Sequence, residues 1–276
     1  MVAERVEPKP GAGTPEFDDV LDLDRPPKQG RLRSMPRGTV LMLVVPPLLV
    51  LVVFGIYALW HQTADLDSVE ESQLAWPTVL RLLWQHVQVT VVSALAVVAV
   101  AVPAGVLLTR GRLRFAAPAI VGIANAGQAA PSIGLIALLA MWRGFGFWTA
   151  VLALTLYGLL PVLRNTITGL QGVEPTLKEA GRGVGMSAAG VLFRIELPLA
   201  VPVIMAGVRT ALVLLVGTAA LVTFIDAGGL GAIIYTGISL FRFSLMVWGA
   251  VLIALLALLV EWVGRLLELA TRPKGI

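Results

Sequence analysis

Few residues in this chain have the type and spacing to do chemistry, and none is arranged for covalent catalysis. No G-x4-G-K-[ST] segment occurs, so nothing here cradles a phosphate in the manner of a nucleotide-binding loop. His61 and His86 are not spaced as metal ligands, and no Ser/His/Asp set sits at a suitable depth. Cysteine is absent, which removes disulfides, thiolate metal sites and a cysteine nucleophile. What remains is polar chemistry in apolar surroundings. Arg209 lies eleven positions past Pro198, roughly 16 Å along a helix, where it either lines an internal cavity or pairs with a carboxylate such as Glu261. Asn125, Gln128 and Ser132, with Pro131, interrupt an otherwise apolar run, either facing a path or hydrogen-bonding between helices. Asp226 opens a glycine cluster, Gly228-Gly229-x-Gly231, followed by an apolar run too short to span, read either as a re-entrant gate segment or as an interfacial loop. These residues are the candidates for a translocation path.

The elements that position them are written for lipid. Of 276 residues, 57% are hydrophobic and 14% charged, and mean hydropathy is +0.86, far beyond what a soluble domain needs. The fold class expected is all-α and polytopic. Apolar runs long enough to cross a bilayer fall at about 40–60, 87–108, 117–141, 147–169, 199–224 and 245–265, which predicts six transmembrane helices. Residues 1–39 are rich in Pro, Gly, Asp and Arg without apolar periodicity and read as a disordered cytoplasmic tail. The run at 40–60 reads as a retained anchor rather than a cleaved signal, because its basic lead is long and its apolar core continues to Trp60. Residues 61–86 read as an external segment whose LAWPTVLRLLWQHV portion is an amphipathic helix on the outer surface, with Trp60, Trp76 and Trp84 at the interface. Residues 87–270 form the main transmembrane domain.

Lys and Arg placement orients the spans. With the N-terminus inside, the tail (Arg5, Lys9, Arg25, Lys28, Arg31, Arg33, Arg37), the first loop (Arg110, Arg112, Arg114), the stretch at 164–194 (Arg164, Lys178, Arg182, Arg194) and the end (Arg265, Arg272, Lys274) are cytoplasmic. Only Arg81, Arg143 and Arg242 fall outside, so both termini are expected in the cytoplasm of a multi-pass plasma (inner) membrane protein. The basic residues flank spans instead of forming a patch interleaved with aromatics, which argues against nucleic acid as a partner.

One stretch breaks the apolar pattern: VEPTLKEAGRGVGMSAAGVLFRIELP, residues 173–198. Pro175 suits a helix's first turn and starts a short helix through Leu177 and Ala180. Gly181, Gly183 and Gly185 permit a sharp turn. Ser187 suits the N-cap of a second short helix with Val191, Leu192 and Ile195 on its apolar face, and Pro198 marks the start of the next span. A helix-turn-helix knob at the membrane surface results, and an amphipathic loop on the headgroups is the plainer alternative.

The spacing Glu179-Ala180-Gly181, three residues, Gly185, nine residues, Ile195-Glu196-Leu197-Pro198 resembles the cytoplasmic EAA loop (EAA-x3-G-x9-I-x-LP) of permease subunits of binding-protein-dependent ATP-binding-cassette (ABC) importers, departing only at Gly181. From about residue 85 to 265 the chain is similar to osmoprotectant permeases, which carry glycine betaine, carnitine, choline or proline. The similar segments are IAN-x2-Q-x2-P-S (Ile123–Ser132), LP-x-A-x-P-x-I-x-AG-x-R-T (Leu197–Thr210) and AGGLG (Ala227–Gly231). The resemblance implies a type I importer permease fold and a non-catalytic subunit with no cofactor of its own, ATP and Mg residing on ABC ATPase subunits. It further implies a second permease subunit, a homodimer partner or similar paralogue, and an extracytoplasmic substrate-binding protein. It assigns docking on the ATPase to the loop of Glu179, Ala180, Gly181, Gly185, Ser187, Val191, Leu192, Ile195, Leu197 and Pro198, with the second short helix seated in an ATPase groove. Glu179 either braces the first helix or is simply solvated. A permease for another small solute such as an amino acid, and a stand-alone secondary transporter, are the competing expectations; the lack of a relay of buried carboxylates weighs against the latter.

Overall fold

A computed structural model describes residues 37–271 of the chain, and among these every regular element is helical. The expected tail therefore lies outside the described residues, apart from 37–39, which already belong to the first helix. The chain divides between Met42 and Leu43, and the bundle is the unit that follows. In order, the helices are α1 (Arg37–Thr63), α2 (Ser68–Leu74), α3 (Trp76–Leu108), α4 (Ala117–Ala129), α5 (Ser132–Arg143), α6 (Phe147–Gln171), α7 (Pro175–Gly183), α8 (Ala188–Val191), α9 (Leu197–Ala219), α10 (Gly231–Ser239) and α11 (Phe243–Thr271). A π-turn, Leu192–Glu196, joins α8 to α9, and a 3₁₀ turn, Ala220–Ile225, follows α9.

Five stretches are long and apolar enough to cross a bilayer: Leu41–Thr63, Trp76–Leu108, Phe147–Gln171, Ala188–Ile225 and Phe243–Thr271. The expected span at 117–141 is instead two helices, α4 and α5, bent by 95°. Pro131 is the cause. It forces the preceding residue out of the helical region, and Ala130 sits at φ −67°, ψ 145°. Contacts between helix ends show that the bent pair crosses. Arg110, just past α3, pairs with Glu196 at the start of α9, and Lys178 bonds the Leu170 carbonyl at the end of α6, so these three ends share one side. At the opposite side the Gly146 amide, just before α6, donates to the Ile225 carbonyl beyond α9 at 2.8 Å. The segment between α3 and α6 must therefore change sides, which makes six crossings.

The amphipathic stretch expected to lie on the outer surface is the first part of α3, a continuous helix of 33 residues. Pro77 stands in its first turn, where a missing N–H costs nothing, and nothing afterwards ends it before Leu108. Only α2 is a separate helix in the 61–86 region. Asp67 caps it by accepting from the Val69 and Glu70 amides at 2.9 Å, Glu70 returns a bond from the Asp67 amide, and Arg242 reaches Asp67 at 2.8 Å.

α6 is the hub, packed on α3, α9, α4 and α5. Lipid offers no hydrophobic drive between helices, so close approach through small residues carries the packing. A Cβ at Gly207 of α9 would run into the Asn165 side chain and the Pro161 carbonyl of α6, and one at Gly158 of α6 would press on Val97 and Leu215. Between them lie the buried Val89, Val97, Ala101, Leu154, Val162 and Leu215. A second core joins Tyr57, Leu74, Val79, Leu230, Ile233, Leu245 and Leu252. α10 packs on α11 in that core, so the Gly-rich segment at 224–241 is a turn and a short half-buried helix rather than a plain loop.

Candidate functional site

The polar stretch at 173–198 folds as a helix-turn-helix elbow. Pro175 takes the first position of α7, as its missing N–H allows. Of the three glycines expected to make the turn, Gly181 and Gly183 are helical and Gly185 alone has positive φ, +87°. The Gly185 amide donates to the Arg182 carbonyl at 2.9 Å and the Met186 amide to the Gly181 carbonyl at 3.1 Å, the two bonds of a Schellman motif. Ser187 caps α8 by accepting from the Gly190 amide at 3.1 Å.

The second helix does not end before the span. α8, the π-turn and α9 run on without a break from Ala188, as part of the single apolar stretch that reaches Ile225. Pro198 has no N–H to offer the carbonyl one turn back, and the local widening to a π-turn, with the Leu197 amide bonding the Leu192 carbonyl, accommodates that loss inside a continuous helix.

Val191, Leu192 and Ile195 face inward rather than outward. Val191 is 1% exposed, Leu192 packs with Leu170, Ala200 and Ile204, and Ile195 lies over Gly181. Gly181, the departure from the loop consensus, is where α7 comes nearest to Ile195 and Val191. The apolar side chains that the elbow presents outward are Leu177, Val184 and Phe193, the last two about 70% exposed or more. Amphipathic spacing could not separate these sets, because apolar side chains also stand on the outer face, among the exposed Glu174, Glu179, Arg182 and Arg194. An open groove of about 480 Å³ runs between α7 and the start of α9, lined by Leu177, Ala180, Val184, Met186, Arg194, Ile195, Pro198 and Leu199. Glu179 is exposed and forms no ion pair among the described residues, so of its two readings the solvated one holds in this structure.

Two contacts fasten the elbow to span ends, and neither was apparent from spacing. Lys178 Nζ donates to the Leu170 carbonyl at 3.1 Å, meeting an unpaired acceptor in the last turn of α6. Arg110 grips the Glu196 carboxylate with both Nη atoms, one at 3.1 Å, and the Glu196 side chain is only 4% exposed. A fork-on-fork pair of this kind fixes orientation as well as charge. In the sequence Arg110 is one of three topology-setting arginines and Glu196 the free position of I-x-LP; only their residue types hinted at a pair.

Arg209 is taken up by α11. Its guanidinium lies 3.3 Å from Glu261 and 3.7 Å from Glu268, and Arg265 adds a 3.6 Å contact to Glu261. Gly264 lets the stem of Arg209 lie against α11. Of its two readings, cavity lining or pairing, the structure supports the ion pair. Asn125 is exposed and Gln128 and Ser132 half-exposed around the bend, and their side chains make no hydrogen bond among the described residues. Asp226, exposed, adopts φ +61° as the residue closing the 3₁₀ turn, a conformation Asp tolerates better than most.

The AGGLG turn is pinned by a residue that sequence spacing had set aside. His86 is fully buried, its Nε2 3.0 Å from the Val216 carbonyl, and its Nδ1 accepts from the Leu230 amide at 3.2 Å. Together these define the tautomer with the proton on Nε2. Gln85 Oε1 accepts from the Gly229 amide at 3.2 Å. α3, α9 and the turn before α10 thus meet at one imidazole.

Six crossings, a broken third span and an elbow tied to three helix ends define a permease subunit of the type I ABC importer class. A family model described as binding-protein-dependent transport system inner membrane component matches residues 101–273. The chain is 40% identical over 193 residues to the choline transport system permease protein OpuBB of Bacillus subtilis (strain 168), covering 70% of this chain and 88% of that protein. It is 38% identical over 200 residues to the osmoprotectant import permease protein OsmW of Salmonella typhimurium (strain LT2), covering 71% and 92%. Among solved structures, an inward-facing form of the MetNI methionine ABC transporter superposes with a TM-score of 0.63 at 24% identity, over 72% of this chain and 100% of that one. The chain belongs to the binding-protein-dependent transport system inner membrane component family.

Proposed function

We propose that this chain is the membrane-spanning subunit of an ATP-driven importer for a small quaternary amine such as glycine betaine, carnitine or choline. The observation that carries the reading is the elbow at 173–198, which presents Leu177, Val184 and Phe193 outward and is fastened to the ends of α3 and α6. Relatives named for choline and osmoprotectant transport support the substrate class. ABC ATPase subunits, which hold ATP and Mg, dock on the elbow in the cytoplasm. Leu177, Val184 and Phe193 give that contact its apolar centre, and the groove beside them admits a side chain of the ATPase. Closure of the ATPase pair pushes on the elbow, and the two fastenings carry the displacement to α3, α6 and α9. A binding protein delivers substrate on the opposite side. A second permease subunit, another copy or a similar paralogue, completes the path, and Asn125, Gln128, Pro131 and Ser132 at the bend of α4 and α5 face it. Both termini are cytoplasmic, in line with the distribution of Lys and Arg.

Gly185 gives the most direct test. A side chain there meets no neighbour within 4 Å, but φ of +87° strains a β-branched residue. In proteoliposomes with ATPase and binding protein, Gly185→Val abolishes substrate-stimulated ATP hydrolysis while membrane insertion persists. Coupling that survives in Gly185→Val overturns the docking role.

A further inference from the structure

We propose that Arg164 is a carboxylate-recognising residue on the inner half of the translocation path, so that the transporter favours quaternary amines bearing a carboxylate over those without one. This rests on the importer reading above and adds a specificity determinant to it.

Arg164 sits in α6 seven residues before its last residue, Gln171, roughly 10 Å along the helix axis. It is exposed, although α6 is the most buried of the five long spans. No carboxylate lies within ion-pairing distance of it among the described residues, whereas Arg209, midway along α9, is met by Glu261 and Glu268. An unneutralised guanidinium in a span is expensive against hydrocarbon and marks a water-filled cavity or a functional site.

The surroundings decide what it faces. An arginine alone can extend its stem along lipid and hold its charge at the headgroups. Here, however, the exposed face continues at helical spacing as Thr168 and Gln171, with the half-exposed Asn165 beside it, so a polar strip leads down toward the elbow. An exposed strip suited to lipid looks different: from Val91 to Leu107, α3 exposes only Val91, Leu95, Ala99, Val100, Pro103 and Leu107. The polar strip of α6 is therefore turned toward water in the path, on the side where substrate leaves.

A guanidinium matches a carboxylate in charge and in its forked donor geometry. It also raises the local potential, which favours the anionic end of a zwitterion and disfavours a bare cation. Glycine betaine and carnitine carry the carboxylate; choline does not.

The test is uptake of labelled glycine betaine and choline, in competition, into proteoliposomes holding the permease with its ATPase and binding protein. Arg164→Gln lowers the ratio of betaine to choline uptake about tenfold, the scale of one charge-assisted bond, and Arg164→Lys restores part of that ratio because charge is kept and the fork is lost. An unchanged ratio in Arg164→Gln overturns the inference, as does an equal fall for both amines, which is the signature of a structural residue. A wild-type protein that carries choline but no carboxylate-bearing amine also overturns it. A wild-type protein that carries neither amine overturns instead the substrate class on which the inference rests.

Discussion

Removing Arg110 should cost more than neutralising its partner. Breaking a fully buried ion pair by deleting one member costs about 3–5 kcal/mol, because a charge is left without compensation. The Glu196 side chain is 4% exposed and that of Arg110 35% exposed. In Arg110→Ala a carboxylate is stranded in the protein with water reaching it from one side only, so the penalty falls to about 2–3 kcal/mol. Glu196→Gln leaves an amide that still accepts from the guanidinium, and the orphaned charge is the hydratable one; the cost is about 1 kcal/mol. The double variant Arg110→Ala/Glu196→Gln strands no charge and should be more stable than Arg110→Ala alone, with a coupling energy of about 1–2 kcal/mol. Thermal midpoints in detergent at one fixed scan rate rank the four proteins, since heating a membrane protein gives a rate-governed midpoint. If Arg110→Ala unfolds no earlier than Glu196→Gln, or the double variant no later than Arg110→Ala, the pair does not hold the end of α3 to the elbow as described. Substrate-stimulated ATP hydrolysis should fall in the same order, because the pair is one of the two fastenings.

Two further outcomes are expected. The absence of native cysteine makes Glu179→Cys a unique label on an exposed residue of α7; a membrane-impermeant maleimide should modify it in inside-out vesicles and not in intact cells, and labelling from outside refutes the topology. His86→Leu removes the acceptor for the buried Leu230 amide, at a cost of about 1–3 kcal/mol, so its thermal midpoint should drop while Trp84→Leu, at an exposed position of the same helix, leaves the midpoint nearly unchanged.

The apolar runs by themselves determined that the chain is an all-helical membrane protein, and the Glu179–Pro198 spacing determined its family, because span length and loop length are local quantities that a sequence records directly. Local rules also located the start of α7 at Pro175 and the cap at Ser187. The proline rule for Pro131 likewise located the break, though not its angle of 95°. Other features were decided only in three dimensions. The outward face of the elbow is Leu177, Val184 and Phe193 rather than Val191, Leu192 and Ile195, since which apolar face is buried depends on where α7 and α9 lie. The partners of Arg209, Arg110 and His86 come from residues 52, 86 and 144 positions away in sequence. A charge or an imidazole advertises that it needs a partner, but a sequence carries no record of which distant residue the packed bundle brings to it.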